Sequence, residues 1–228
     1  YIAYSTIRNY AIGNDCHIDS VLRMECRHDS TFGNGVMVAT VNENGGRTVI
    51  IHNELTAQTA YIVAMYRHRK DIVETINGYA KEYAASLRKN IGTIGENCKI
   101  IGAKFVREVN MEANTTIDGA SLVQNGTLLS GAYIGVDVKA VDFIAAQNST
   151  IDLGAIVDRC FIGEDSILAK GFSAVNSLIF AGAHLENGEC CAIFAGPYVV
   201  SHHKSSLLIA GMFSFLNAGS GTNQSNHL

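Results

Sequence analysis

The apolar positions of the chain recur every 17 residues between Ile94 and Cys191, in steps of six, six and five. This spacing gives three columns: Ile94, Met111, Leu128, Ala145, Ile162 and Ile179; Ile100, Ile117, Ile134, Ile151, Leu168 and Leu185; and Val106, Val123, Ala140, Val157, Ala174 and Cys191. Such a repeat indicates an all-β solenoid, because one coil alone cannot bury its inner face and must stack on the next. We predict that each column forms a buried ladder.

A small residue follows four positions after each member of the first column. These residues are Cys98, Thr115, Ala132, Ser149, Ser166 and Ala183. Units of an aliphatic residue, then Gly or Asp, then a small residue occur at 94–98 (IGENC), 117–121 (IDGAS), 151–155 (IDLGA) and 162–166 (IGEDS). On these motifs the chain resembles the hexapeptide-repeat proteins. The resemblance implies a left-handed parallel β-helix of triangular section.

Residues 1–55 carry the same pattern less regularly. A unit at 12–16 (IGNDC) precedes Ile18, and Met24 keeps the step of six. Strands are predicted at 36–41 and 48–52 around an Asn/Gly turn, as early coils with a protruding loop. His17 and His28 lie here, and we interpret both as surface or corner residues.

Residues 56–90 interrupt the repeat with apolar residues spaced three and four apart, which predicts an amphipathic helix. A basic run at 67–70 (RHRK) is a possible break into two helices. The run is either a solvated face or a site for a ligand phosphate or carboxylate. The apolar stripe must pack along one face of the solenoid or against a neighbouring subunit.

Length and pattern together indicate how the chain is organised into domains. The 228 residues are interpreted as one domain, 1–228, with the helical insertion 56–90 and a polar C-terminal segment 217–228. The first residue is Tyr1, so the sequence is interpreted as a fragment of a longer chain.

A net charge of −4 without a basic stripe argues against a nucleic-acid partner. No apolar run has membrane length and no signal peptide is recognisable, so a cytoplasmic protein with reduced cysteines is expected.

The candidate chemistry follows Pro197. Extending the 17-residue frame gives Gly196, His202 and Leu208 as inward positions, so His202 would face inward and His203 outward, and a slip of one residue would reverse them. An exposed imidazole near its ordinary pKa is a natural general base. The alternative is a polar corner with one core histidine.

The segment after Leu216 is rich in Gly, Asn and Ser. Gly219 and Gly221 would let backbone N–H groups approach a phosphate, and the amides that follow would bond sugar hydroxyls. A flexible terminus is the competing interpretation.

Four segments strengthen the resemblance: 191–197 (CAIFAGP), 202–205 (HHKS), 208–215 (LIAGMFSF) and 217–221 (NAGSG). They are similar to uncharacterised bacterial hexapeptide-repeat proteins that are commonly labelled sugar-1-phosphate nucleotidyltransferases or acyltransferases. The resemblance implies further coils beyond His227.

The resemblance and the polar segment together predict a transferase for a sugar or sugar nucleotide, by acyl transfer from a thioester. His203 is the predicted base, with His202 as its orienting neighbour or substitute. The predicted substrate-binding residues are Lys204, Ser205, Asn217, Ser220, Asn223, Gln224, Asn226 and His227. No tightly bound cofactor and no metal are expected, acyl-CoA or a sugar nucleotide is a substrate, and a homotrimer is the favoured assembly without a membrane partner.

Other functions remain open. One is a non-catalytic scaffold or a sugar-nucleotide-binding module of a nucleotidyltransferase-related protein. Another is a zinc site like that of the γ-class carbonic anhydrases, although adjacent His202 and His203 are awkward ligands for one ion. Nucleotidyl transfer by these residues alone is not expected, because they lack the Gly-rich, Arg-containing loop that opens such a domain.

Overall fold

The computed structural model describes residues 1–225, and short parallel strands dominate it. The strands are β1 (Ile2–Ala3), β2 (Ile7–Arg8), β3 (Tyr10–Ile12), β4 (His17–Asp19), β5 (Arg23–Glu25), β6 (Met37–Ala39), β7 (Thr48–Ile50), β8 (Gly92–Ile94), β9 (Lys99–Ile101), β10 (Phe105–Met111), β11 (Thr116–Asp118), β12 (Leu122–Leu128), β13 (Tyr133–Ile134), β14 (Lys139–Ala145), β15 (Thr150–Ile151), β16 (Ile156–Ile162), β17 (Ile167–Ala169), β18 (Ser173–Ile179), β19 (His184–Glu186), β20 (Glu189–Cys191), β21 (Phe194–Ala195), β22 (Val199–Ser201), β23 (Ser206–Leu208), β24 (Gly211–Met212), β25 (Leu216–Asn217) and β26 (Asn223–Ser225). The helices are α1 (Ala57–Met65) and α2 (Lys70–Ser86).

The predicted solenoid is confirmed by the strand register. In one sheet the order is β1-β4-β9-β11-β13-β15-β17-β19-β22-β25, with all pairs parallel. Ile100 pairs with Ile117, which pairs with Ile134. Continuing the same row, Ile134 pairs with Ile151 and Ile151 with Leu168. Every residue of this column is fully buried, so it is an interior ladder.

The second sheet bends within each long strand. Strands β10, β12, β14, β16 and β18 are seven residues long, and each has one residue of positive φ between its two halves: Glu108, Asn125, Asp142, Arg159 and Asn176. A residue with a positive φ departs from the extended conformation of its neighbours and bends the strand into a corner. Each coil therefore has three straight segments.

The interior is filled by pairing large with small residues on successive coils. Phe143 is fully buried and lies in register between Gly126 and Cys160. A Cβ at Gly126 would lie 2.2 Å from Cε1 of Phe143, so the glycine leaves the space that the ring occupies. Pairing a large ring with small neighbours in this way is how a protein interior reaches close packing.

The 17-residue frame slips by one position after Leu185. Leu168 pairs with Leu185, but Ala174 then pairs with Cys190, because the turn after β19 is one residue shorter than the turn after β17. Cys190 is 2% exposed and occupies the ladder, whereas Cys191 is only partly buried. The prediction that Cys191 belongs to the ladder is therefore wrong.

The slip also moves the next coil. Ala195 pairs with Ile179, Ser201 with Leu185 and Leu207 with Cys190, and all three are buried. The inward positions assigned to Gly196, His202 and Leu208 are thus each one residue too late. His202 and His203 both lie on the surface.

Residues 26–91 form an insertion that leaves the solenoid after β5 and returns at β8. It begins with the antiparallel hairpin of β6 and β7, which pairs with no coil. The interpretation of 36–52 as part of the early coils is wrong, because local alternation does not distinguish a hairpin from a coil. The predicted break at 67–70 is confirmed, since α1 ends at Met65 and α2 begins at Lys70.

The insertion covers one outer face of the solenoid. A second apolar core joins Val38, Val49, Ile51, Ala60 and Val63 of the insertion to outward-facing Ile144, Phe161, Leu178, Phe180 and Phe194. Thr40 Oγ1 donates a hydrogen bond to the carbonyl of Ile193 at 2.8 Å, and the Val41 N–H donates to the carbonyl of Ala192 at 2.7 Å. The sequence predicts that the apolar stripe packs either on the solenoid or against a neighbouring subunit. In the structure α1 packs on the solenoid face.

All six cysteines are free thiols. Cys160 and Cys190 lie in the solenoid interior. Burial raises the pKa of the Cys190 thiol to about 12 and that of Cys160 well above its ordinary value. Both behave as small apolar residues of the core.

Replacing a ladder residue should destabilise the whole stack. We expect Ile134→Ala to lower the free energy of unfolding by about 2–5 kcal/mol, because it leaves a cavity beside two coils. Val136→Ala is the control, since Val136 is 48% exposed and two residues away. Urea denaturation followed by circular dichroism measures both, and equal losses for the two variants would contradict the buried ladder.

The buried thiols should resist alkylation. At pH 8, a pKa of about 12 leaves only about one thiol in ten thousand ionised, so Cys190 should not react with iodoacetamide in the folded protein. After unfolding in urea it should react fully. Mass spectrometry of labelled peptides gives the ratio, and rapid labelling of Cys160 and Cys190 in the folded protein would disprove their burial.

Candidate functional site

The sequence-predicted histidines lie in the turn between β22 and β23. His202, His203 and Lys204 are exposed. The His202 ring centroid is 5.9 Å from that of His184, and the His202 carbonyl accepts a hydrogen bond from Asn187 Nδ2 at 3.0 Å. Among residues 1–225, no side chain hydrogen-bonds to the His203 imidazole. The orienting contact between His202 and His203 that the sequence suggested is therefore not formed.

The remaining predicted residues continue the solenoid. Ser205 is buried and its Oγ bonds to Ser201 Oγ at 2.6 Å, so it holds a corner. Asn217 ends β25, Ser220 lies in a turn, and Asn223 and Gln224 belong to β26, all four exposed. Asn226 and His227 lie outside the described residues.

A polar groove of about 520 Å³ brings three of the predicted residues together. It crosses the turns of three successive coils, and its walls include Asn187, Glu189, Lys204, Ser205, Ser206 and Asn223. Glu189 Oε1 accepts a hydrogen bond from Ser206 Oγ at 2.8 Å. The groove thus offers one cation, one carboxylate and several hydroxyl and amide groups. His202, His203, Asn217, Ser220 and Gln224 are not among its walls.

An aromatic groove of about 560 Å³ lies between α1 and the last coils of the face under the insertion. Its walls include Tyr61, Phe194, Pro197 and Phe213. The ring centroids of Tyr61 and Phe213 are 5.1 Å apart, nearly perpendicular, and those of Phe194 and Phe213 are 5.3 Å apart. Tyr61 is 36% exposed and Phe213 43%, so both rings have free surface.

A smaller cavity of about 230 Å³ adjoins the aromatic groove and shares Ala57, Gln58 and Pro197 with it. We call it the α1 pocket. Its other walls include Thr56, Gln147 and Glu164, with Phe161 and Phe180 at its apolar side. Thr56 is the N-cap of α1, its side chain accepting the Thr59 N–H at 3.2 Å, and the first turn holds no acidic residue.

The aromatic groove and the α1 pocket combine apolar rings with a few polar groups in a concave surface. Such a combination is typical of small-molecule sites.

The family described as "Domain of unknown function (DUF4954)" matches residues 2–228. The chain belongs to this family. The assignment to the hexapeptide-repeat proteins labelled nucleotidyltransferases or acyltransferases is therefore wrong. A period of 17 residues reflects the size of a stacked coil, so it predicts the architecture without identifying a family.

One curated relative of this DUF4954 chain is an uncharacterized protein of Treponema pallidum (strain Nichols). The two are 24% identical over an alignment 242 residues long, gaps included, and the alignment covers 97% of the chain and 33% of the relative. The chain thus spans about a third of the length of the relative it matches. No solved structure matches the chain.

The aromatic groove of the DUF4954 chain is not among the sites that the sequence predicts. Phe161 and Phe180 lie directly beside ladder positions Ile162 and Ile179, so alternation directs them outward. Outward aromatic residues on consecutive coils indicate a covered face, and this signal was available in the sequence. Tyr61 and Phe213 could not be joined in this way, because their proximity depends on where the insertion packs.

The residues of the basic run at 67–70 have different surroundings in the structure. Arg69 forms an ion pair with Asp71 at 3.0 Å at the start of α2. Arg67 and His68 line a cavity of about 450 Å³ with Arg47 and Met65. Arg47 Nη1 donates a hydrogen bond to the carbonyl of Ala64 at 3.2 Å, near the end of α1, so it has a structural role.

The other candidate histidines lie apart from these cavities. His17 is half-buried with its ring 4.8 Å from that of Tyr1, and His28 is exposed. Within residues 1–225, no group of three His, Cys, Asp or Glu side chains could hold a metal ion. In the same range, neither helix has the length and apolar character needed to cross a membrane.

Proposed function

We propose that this chain is a sugar-nucleotide-binding module of a larger transferase-like protein, with the aromatic groove and the α1 pocket as its ligand site. The observation that carries the proposal is the junction of exposed aromatic rings with the N-terminus of α1. A nucleotide has the two matching parts, a flat base and a phosphate group.

The aromatic groove suits the base. Tyr61 and Phe213 present ring surface to solvent at the mouth of the groove, while Phe194 is buried behind them. Stacking of a base on an aromatic side chain contributes about 1–3 kcal/mol and does not depend strongly on which base is bound. The rings are already ordered by contact with each other, which lowers the entropic cost of binding.

The α1 pocket suits the phosphate and the sugar. The backbone N–H groups of Ala57 and Gln58 have no acceptor within the helix, and they lie at the positive end of the helix dipole. An anion placed there is stabilised without further side chains. Gln147 and Glu164 also line the pocket and would bond sugar hydroxyls.

The proposal extends to the shape and assembly of the module. We propose left-handed coils of triangular section, supported by three straight segments per coil and small buried residues at one corner. A homotrimer is proposed on the exposed apolar side chains of Val136, Leu153 and Ile156, which offer a surface for a second copy. A cytoplasmic location is proposed because the six thiols are free.

A second candidate function is acyl transfer from acyl-CoA beside the polar groove, with His203, the neighbour in sequence of the wall residue Lys204, as general base. It is favoured by one observation: predicted residues Lys204, Ser205 and Asn223 line the same cavity, and the histidine turn is part of the same coil. The imidazole of His203 would take the proton of a sugar hydroxyl as the hydroxyl oxygen attacks the thioester carbonyl. The C–S bond then breaks, and the coenzyme A sulfur leaves with that proton.

The aromatic groove should bind a sugar nucleotide through its rings. Isothermal titration with UDP-glucose is expected to show binding to the unchanged protein and at least about tenfold weaker binding to Phe213→Ala, because the stacking surface is lost. Tyr79→Ala is the matched control, since Tyr79 is a 69% exposed aromatic residue on α2 outside the groove. Equal affinity for both variants, or no binding to the unchanged protein, would refute the assignment.

Acyl transfer at the polar groove can be tested separately. Release of coenzyme A from acetyl-CoA in the presence of UDP-glucose should fall about 10²–10⁴-fold in His203→Ala if this imidazole is the base. His28→Ala serves as the control, because His28 is exposed and belongs to the insertion. An unchanged rate in His203→Ala, or no release by the unchanged protein, would exclude this function.

A further inference from the structure

Four arginines converge on one corner of the solenoid, at the point where the insertion begins. Arg8, Glu25 and Arg107 are aligned in register on the adjacent strands β2, β5 and β10. Neighbouring strands lie about 4.8 Å apart, so these side chains form one outward row. Arg23 lies two residues before Glu25 on the same face, and Arg27 lies two residues after it. We call this group the arginine corner.

Glu25 is the fixed centre of the arginine corner. Its side chain is only 7% exposed, and its Oε1 lies 2.5 Å from Arg27 Nη2, 3.8 Å from Arg107 Nε and 4.0 Å from Arg23 Nη1. Bonding to Arg27 is the main cause that holds the pKa of the Glu25 carboxyl below its ordinary value. The carboxylate therefore stays charged and holds guanidinium groups around itself.

Glu25 does not account for all of this positive charge. Glu108 lies beside the corner, where its Oε1 accepts the Arg27 backbone N–H at 3.0 Å. Four guanidinium groups face these two carboxylates, which leaves an excess of two positive charges. The chain as a whole carries −4, so the corner is a local exception. Arg8 is exposed and forms no ion pair with any residue from 1 to 225.

The donors at the arginine corner are held in place and are not all used. The guanidinium carbon of Arg107 lies 4.7 Å from the Phe105 ring centroid, a contact that fixes its plane. Arg107 Nε is buried, and within the described chain it donates to no acceptor. A groove of about 360 Å³ is lined by Thr6, Arg8, Arg23, Met24, Glu25 and Arg27, so three of the four guanidinium groups border it and Arg107 lies outside its walls.

We infer that the arginine corner is a binding site for a phosphate dianion, either inorganic phosphate or the phosphoryl group of a phosphomonoester. The excess of two positive charges matches the charge of such a group. Guanidinium groups bind phosphate oxygens through paired, charge-assisted hydrogen bonds. The groove has room for the phosphate and for part of the attached molecule. This site lies on a different sheet segment from the aromatic groove and does not depend on the function proposed for it.

The test is titration of the unchanged protein with inorganic phosphate and with glucose 1-phosphate, followed by ³¹P NMR. We expect saturable binding of at least one of the two, and about tenfold or greater weakening in Arg8→Gln and in Arg23→Gln. Arg88→Gln is the matched control, because Arg88 is an exposed arginine just beyond α2. Binding of glucose 1-phosphate alone would support the phosphomonoester as the ligand, and binding of both would support the phosphate group itself.

Two results would overturn the inference. One is the absence of saturable binding of either compound by the unchanged protein. The other is the same loss of affinity in Arg88→Gln as in Arg8→Gln, which would mark the effect as one of net charge. Phe213→Ala separates the two sites: it should leave phosphate binding unchanged, and a loss of phosphate binding in that variant would refute an independent arginine corner.

Discussion

The structure depends on the pairing of each coil with the next. One coil exposes its inner apolar side chains and its strand edges, and stacking removes both from water at once. The register that pairing imposes also explains the slip after Leu185: the turn before Cys190 loses one residue, and Ala174 still finds a small apolar partner in Cys190. From Cys190 onward the spacing to Leu207 is again 17 residues. Pairing, and not a constant residue count, sets which residue faces inward.

The insertion follows from a second requirement, the covering of an apolar outer face. Ile144, Phe161 and Leu178 point away from the interior, and residues 26–91 bury them. The aromatic groove exists because this cover ends at α1, while the aromatic residues continue to Phe213. The aromatic groove therefore lies at the edge of the surface that the insertion covers, where the rings of Tyr61 and Phe213 are partly exposed.

The sequence predicted the ladders because burial of stacked coils repeats the same residue types at the same interval. It predicted the break between α1 and α2 from the basic run. The sequence did not predict the β6–β7 hairpin, because its alternation is locally identical to that of a coil. It also did not predict the exposed position of His202, because shortening a polar turn by one residue does not change the pattern of apolar residues. The arginine corner was also hidden: Arg8 and Arg107 flank Glu25 in register, but the insertion separates Glu25 from Arg107 in the sequence and breaks the 17-residue spacing there.

The aromatic groove and the arginine corner share one structural dependence. Arg27 belongs to the first residues of the insertion and Tyr61 to its helix α1, while Arg8 and Phe213 belong to the solenoid. Each site is therefore complete only when the insertion is packed on the solenoid. A ligand that binds only this packed state stabilises it by RT ln(1 + [L]/Kd), about 2.7 kcal/mol at a concentration of 100 Kd. What the two sites share is therefore this packing, since the grooves themselves have no lining residue in common.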